Sequence, residues 1–121
     1  METVKELRNY KVKRRIVSDF FPNVSMIHPL KQKQVYDLIN HIKSIDEVNK
    51  VIIFGSSVSN KCHNGSDLDF YLDLSRNVNL EKTISSFMDN YDYWNNFSVD
   101  KRLLDEINKK GVVVYERKDD A

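Results

Sequence analysis

The strongest hydrophobic pattern of the chain lies in residues 51–74. Residues 51–54 are a short continuous apolar run, ended by Gly55, and they predict a strand that is buried on both faces. Residues 67–74 alternate with a period of two and predict a second strand. One face of that strand carries Leu68, Phe70, Leu72 and Leu74, and the other carries Asp67, Asp69, Tyr71 and Asp73. Because the apolar face must be buried, the carboxylates are expected on the opposite, solvent-facing side.

Helical spacing and short apolar runs predict the remaining elements. Residues 29–45 begin with a proline and carry one apolar face, with Lys31 and Lys33 expected in solvent. Further helices are predicted at residues 80–90 and 101–110, and further strands at 97–100 and 112–115. The fold class predicted from these elements is α/β (α+β), with a small mixed sheet of about four strands flanked by helices.

The two carboxylates that open the second strand are the first candidate for chemistry. Asp67 and Asp69 lie on one face, roughly 6–7 Å apart at about 3.3 Å per residue. Two carboxylates that close repel each other unless a cation lies between them or one of them is protonated. Hard divalent cations suit such a pair, and Mg²⁺ suits it best when phosphate is the other partner.

Composition and charge narrow the class of protein. The 121 residues suffice for one domain, and the single cysteine, Cys62, excludes an internal disulfide. No apolar run approaches the ~18 residues of a membrane span, so no membrane association is expected. The single cysteine makes a reducing, cytoplasmic location the expected one. The net charge of +1 is divided unevenly, at +4 for residues 1–50 and −3 for residues 51–121.

The N-terminal quarter is interpreted as a basic extension, residues 1–28, that precedes one folded domain, residues 29–121. A helix packed on the domain is preferred for this extension over an arm that binds a substrate or partner. Direct nucleic-acid binding is not expected, because only Tyr10 interleaves its basic run as a stacking aromatic. The aromatic residues at 91–97 are interpreted as packing, with Tyr93 or Trp94 the candidates for stacking on a base.

Three other kinds of site are excluded by their spacing. Residues 55–62 lack the second glycine and the final hydroxyl of a P-loop. Residues 70–72 are apolar or aromatic where a calcium-binding EF-hand loop needs polar ligands and a glycine. Cys62 and His63 have no second pair to complete a zinc site.

A family resemblance rests on the Gly-Ser turn and the paired aspartates. Gly55-Ser56, followed after ten residues by Asp67-Leu68-Asp69, resembles the signature of the nucleotidyltransferase superfamily that includes DNA polymerase β. It looks most like the minimal nucleotidyltransferases of bacteria and archaea. Those proteins often carry Arg and Gly just after Gly-Ser, whereas residues 57–61 of this chain are Ser, Val, Ser, Asn and Lys. The ending, residues 106–116, is also similar to theirs. The resemblance spans about residues 29–117 and implies the nucleotidyltransferase fold.

The resemblance implies a metal site. Asp67, Asp69 and Asp100 would be the catalytic residues and would hold two Mg²⁺ ions. Asp100 takes the third role because it ends the strand predicted at residues 97–100, and Asp105 is the fallback.

The resemblance also implies the substrate and the reaction. Gly55, Ser56 and Ser66 would bind the nucleotide, ATP, the first two through its β- and γ-phosphates. The reaction would be transfer of AMP to a hydroxyl acceptor.

The chain has no room for a template-binding or substrate-gripping domain, so the acceptor must bind through another chain or be that chain. Proteins of this kind are commonly antitoxins that add AMP to a tyrosine of a HEPN-type toxin, and such a partner is expected. Two alternatives stay open: a non-catalytic binding module with a vestigial metal site, and a small-molecule nucleotidyltransferase that acts as a homo-oligomer.

Overall fold

The computed structural model describes residues 21–60, 62 and 65–118, in which three α-helices flank one four-stranded sheet. The elements in chain order are β1 (Val48–Phe54), β2 (Leu68–Leu74), β3 (Tyr91–Asn95) and β4 (Val112–Glu116), with α1 (Pro29–Ile42) before β1, α2 (Glu81–Ser85) before β3 and α3 (Lys101–Lys110) before β4. Short 3-10 turns occupy Val24–Met26 and Gly55–Val58.

The sheet order is β3-β2-β1-β4. Strand β1 pairs antiparallel with both β2 and β4, whereas β2 and β3 run parallel. The predicted fold class, a small mixed sheet flanked by helices, is therefore confirmed.

Both faces of the sheet are covered. The larger core packs α1 and α2 on the face that carries Leu68, Phe70, Leu72 and Leu74, as the alternating pattern predicts. On the other face, Ile107 of α3 packs with Ile52, Phe54 and Tyr71. Tyr71 is only 5% exposed, so the face that carries the aspartates is partly covered by α3 and does not simply face solvent.

Helix α1 differs from its prediction in one residue that matters for the site. Lys31, expected in solvent, is 6% exposed, and its ammonium donates to the backbone carbonyl of Ser66. Lys33 is exposed as predicted and pairs with Asp37 at 3.1 Å. The helix also ends at Ile42, three residues earlier than predicted.

The region between β2 and α3 corrects two predicted elements. Helix α2 ends at Ser85 and does not reach residue 90, since the hydroxyls of Ser85 and Ser86 bond back to the preceding turn. The third strand lies at Tyr91–Asn95, so the strand predicted at residues 97–100 is wrong.

The N-terminal prediction falls largely on residues 1–20, which lie outside the described residues. Of the remainder, Phe21, Val24 and Ile27 are buried in the larger core. The boundary after residue 28 stays a prediction. Among the described residues, no helix is long and apolar enough to cross a membrane.

Candidate active site

The site forms where β1 ends and β2 begins. Phe54, the last residue of β1, pairs with Asp69 of β2. Gly55 then opens the 3-10 turn with φ 75°, a conformation that side chains with a Cβ rarely adopt. A Cβ at Gly55 would overlap the carboxylate of Asp69. The turn backbone therefore lies directly against that carboxylate, and only glycine permits the approach.

Gly55→Ala should both strain the backbone and displace the carboxylate of Asp69. We expect a loss of roughly 1–3 kcal/mol in the free energy of unfolding from the left-handed backbone alone. Nucleotide affinity should fall with it, because the turn and Asp69 can no longer keep their contact. Urea unfolding and nucleotide titration measure the two effects. Unchanged values for both would contradict the close packing of this turn.

A second carboxylate on the neighbouring strand faces Asp69. The parallel register pairs Asp69 with Asp92 of β3, on the sheet face that also carries Tyr71 and Trp94. Burial, the charge of Asp92, a hydrogen bond shared with Asp92 and the charge of Asp67 together raise the pKa of Asp69 to about 6. Two carboxyl groups can share a hydrogen bond only when one is protonated and donates to the other. Below about pH 6 a proton can therefore relieve the repulsion between Asp69 and Asp92, and at neutral pH a bound cation could relieve it instead.

The acidic cluster, defined here as Asp67, Asp69 and Asp92, suits Mg²⁺ by its donor chemistry. Its ligands are hard carboxylate oxygens, of which Asp69 is half-buried and the other two are exposed. Within the described residues, no three His, Cys, Asp or Glu side chains are already grouped closely enough to hold a metal ion. Mg²⁺ in phosphate-transfer sites needs only one or two carboxylates, with water and substrate phosphate completing its shell. The close pair of Asp69 and Asp92 meets that requirement.

Asp100 does not have the position that its predicted role required. It precedes α3 as the N-cap residue, and its Oδ1 accepts a hydrogen bond from the backbone N–H of Leu103 at 2.8 Å. The assignment as third metal ligand depended on a strand that ends at Asp100, and no strand lies there. Asp105, the fallback, is exposed on α3.

Asp92 is a candidate site residue that the sequence analysis did not single out. The signal was available, since Tyr91, Tyr93 and Trp94 are aromatic residues of high strand propensity around it. Tyr93 lies on the core face, with its ring 5.5 Å from that of Phe70, so period two places Asp92 on the opposite face.

The two aromatics considered for base stacking pack against protein rings. Tyr93 stacks on Phe70, and Trp94 lies 5.6 Å from Phe54 in a tilted arrangement. Their interpretation as packing residues agrees with these contacts.

A cavity of about 510 Å³ lies beside the Gly-Ser turn. Its lining includes Gly55, Ser56 and Ser59 on one side, and Glu106 and Lys110 of α3 on the other. A volume of this size is typical of small-molecule sites. The cavity combines backbone and hydroxyl donors with one ammonium group, which suits an anionic ligand.

The predicted nucleotide-binding residues fall on two sides of the site. Ser56 lines the cavity, whereas Ser66 precedes the acidic cluster and is held by Lys31 through its carbonyl. Their contact with a nucleotide stays a prediction.

Comparison with known proteins identifies the family. The family model "Polymerase beta, Nucleotidyltransferase" matches residues 36–120. Among solved structures, the chain is similar to a mutant of the toxin–antitoxin MntA-HpeT, with 14% identity and a TM-score of 0.55 over 71% of this chain and 73% of that one. A toxin–antitoxin structure with AMP-PNP gives 16% identity and a TM-score of 0.55 over the same shares. A search of curated proteins finds no match.

At these identities the solved structures show the fold, while the family model covers well over half of the sequence. The site described above lies within the matched residues. The chain therefore belongs to the polymerase beta nucleotidyltransferase family and is a nucleotidyltransferase.

Proposed function

We propose that this chain transfers AMP from Mg²⁺–ATP to a hydroxyl group of a partner protein, and that the acceptor is a tyrosine of a HEPN-type toxin for which the chain serves as antitoxin. The observation that carries the proposal is the carboxyl pair of Asp69 and Asp92, of which Asp69 lies against Gly55 of the Gly-Ser turn. The similar structures support the partner class, since both are toxin–antitoxin assemblies and one holds AMP-PNP.

In this proposal each part of the site has a separate task. The turn at Gly55 and Ser56 binds phosphate through backbone N–H and hydroxyl groups. The acidic cluster holds Mg²⁺, with Asp92 in the role first assigned to Asp100. When bound, Mg²⁺ neutralises triphosphate charge and makes the acceptor hydroxyl easier to deprotonate.

The transfer step balances without a further reactant. The acceptor oxygen forms a bond to the α-phosphorus, and the bond from that phosphorus to the bridging oxygen breaks, which releases pyrophosphate. The hydroxyl proton passes to the carboxylate of Asp92, the more exposed member of the pair. Asp69, which is half-buried and lies against Gly55, would hold the metal beside the phosphate-binding turn.

Lys110 and Glu106 of α3 both line the cavity beside the turn, so removing their charges should have opposite effects on nucleotide binding. Lys110→Ala should weaken nucleotide binding about two- to fivefold, the range for an exposed charge contact. Glu106→Gln should strengthen it, because it removes a negative charge from the same cavity lining. Lys109→Ala is the matched control, since Lys109 does not line this cavity. Titration with a fluorescent ATP analogue measures all three, and equal losses for the two lysine variants would contradict the assignment.

Label transfer tests the proposed function. The chain is incubated with Mg²⁺, α-³²P-ATP and the protein encoded next to it, and label on a tyrosine of that protein is expected. Asp92→Asn should lower this labelling by at least about a hundredfold, as loss of a group that holds a metal. Asp100→Asn should leave it near wild type, because Asn also serves as an N-cap. Full labelling with Asp92→Asn, or its loss with Asp100→Asn, would reverse our assignment.

A second candidate function is neutralisation of a partner by binding alone. It is favoured by the finding that no three potential ligands are already grouped among the described residues. Under that alternative the partner would be bound and inhibited without any label, and Asp92→Asn would inhibit as well as wild type.

A further inference from the structure

Two short segments of the site lie outside the strand ladders. The β1–β2 register ends at the pair of Phe54 and Asp69, and the β2–β3 register begins at Leu68. The Gly55–Val58 turn lies outside these ladders, and Asp67 directly precedes Leu68, whose N–H donates to the carbonyl of Asn90 at 3.0 Å. Asp67 is exposed and directly precedes the first residue of β2.

The first turn of α1 contacts both of these segments. The backbone N–H of His28, the N-cap of α1, donates to the carbonyl of Ser57 at 2.8 Å. The ammonium of Lys31 donates to the carbonyl of Ser66, the residue before Asp67. One rigid helical turn thus joins the phosphate-binding side of the site to the peptide that carries Asp67.

Lys31 is an unusual residue to find buried in α1. The other buried residues of α1 are all apolar, and lysine is almost never fully buried unless its charge is met by a partner. Its ammonium lies 3.5 Å from Oε1 of Gln34 in addition to its bond to Ser66. Burying an ammonium costs free energy that an apolar side chain of similar length would not incur, although such a side chain would take one donor from the Ser66 carbonyl. We therefore take the role of the ammonium to be holding the Ser66 peptide in place.

We propose that Lys31 is a positioning residue of the metal site, which fixes Asp67 relative to the Gly-Ser turn by holding the Ser66 carbonyl. The inference rests on the proposed function, since it concerns the metal that the acidic cluster would hold. Without this contact Asp67 is held less firmly on its Ser66 side, although the buried Leu68 still fixes its other side, and the site should need more metal for the same occupancy. Groups that orient metal ligands typically contribute 10- to 100-fold to affinity.

The test measures metal binding directly. Free Mn²⁺ is followed by electron paramagnetic resonance during titration of the full chain with AMP-PNP present. Lys31→Met should raise the Mn²⁺ concentration at half-occupancy about tenfold, and Lys31→Arg should restore most of the affinity because it keeps a buried donor. Lys33→Met, on the same helix but exposed, is the control and should match wild type.

Thermal unfolding separates positioning from a fold defect. Lys31→Met should melt within a few degrees of wild type, whereas a purely structural lysine would lower the melting temperature and leave the Mn²⁺ requirement unchanged. If wild type binds Mn²⁺ and Lys31→Met binds it equally well, the inference is overturned while the proposed function stands. If wild type binds no Mn²⁺, the proposed function fails and the inference fails with it. If Lys31→Met does not fold, Lys31→Arg is used to test the inference. Mn²⁺ binding that is tenfold weaker than wild type in that folded variant would also overturn the inference.

Discussion

Asp69→Asn should lower nucleotidyl transfer by at least about a hundredfold while leaving the chain as stable as wild type or more stable at pH 7.5. The loss of activity follows from removal of the carboxylate that lies against the Gly-Ser turn and pairs with Asp92. The gain in stability follows because the pKa of Asp69 is raised to about 6 by burial and by its acidic neighbours. At neutral pH the folded chain must keep this group charged in an environment that disfavours the charge.

The pH dependence of this effect has a definite sign. The folded pKa of Asp69, about 6, exceeds its ordinary value of 3.8, so the folded state binds the proton more tightly than the unfolded state. The contribution to stability is fully present below pH 3.8 and is lost as the pH rises through about 6. The stability advantage of Asp69→Asn should therefore grow from pH 4 to pH 6 and stay constant above that range.

Urea unfolding at a series of pH values measures this dependence, and label transfer measures the activity. Asp73→Asn is the matched control, because Asp73 lies on the same strand and face but on the far side of Tyr71. It should keep both the transfer rate and the pH profile of wild type. Normal transfer by Asp69→Asn, or a stability advantage that shrinks as the pH rises, would contradict this account of the site.

Phe70→Ala should cause the largest loss of stability, roughly 3–5 kcal/mol in the free energy of unfolding. The side chain of Phe70 is fully buried, and its ring lies 5.8 Å from that of Tyr91 and 5.5 Å from that of Tyr93. Truncation removes these ring contacts, so β2 and β3, the two strands that carry Asp69 and Asp92, would be joined chiefly by their ladder hydrogen bonds. The site should therefore weaken together with the fold.

A second phenylalanine provides the control for this change. Phe97 is 50% exposed, so Phe97→Ala should change the free energy of unfolding by no more than about 0.5 kcal/mol. Denaturant unfolding of the two variants under one set of conditions makes the comparison. A loss below about 1 kcal/mol for Phe70→Ala would show that the two strands are held together by other contacts.

The parts of the fold with strong periodicity could be predicted from the sequence. The alternation of residues 67–74 correctly separated Phe70 from Asp69, because a period of two leaves only one register with a buried apolar face. The helical spacing at 29–45 and 101–110 correctly predicted α1 and α3, with an error of three residues at the end of α1.

The third strand has no clear alternation of apolar and polar residues by which the sequence could reveal it. Tyr91 and Tyr93 carry polar hydroxyls and are only partly buried, so their period of two is masked by the consecutive aromatic Trp94. Asp100 had a competing explanation that was available from the sequence, since an aspartate directly before a helix is a common N-cap. In our proposal the third carboxylate is Asp92, eight residues before Asp100.

The burial of Lys31 could not be predicted at all. Lys31 and Lys33 are alike in type and two positions apart, and the sequence carries no sign that one of them reaches a backbone carbonyl. That contact joins α1 to the loop before β2, and it depends on how the two segments meet in space. Tertiary contacts of this kind leave no periodic pattern in the chain.

The most direct test of the central claim is a crystal structure of the chain with Mn²⁺ and AMP-PNP, with the metal located by its anomalous scattering. Our account predicts a metal peak between the carboxylates of Asp69 and Asp92, within about 2.5 Å of an oxygen of each, with the triphosphate on the Gly55 turn. A peak at Asp100, or a bound nucleotide with no metal at the acidic cluster, would contradict it.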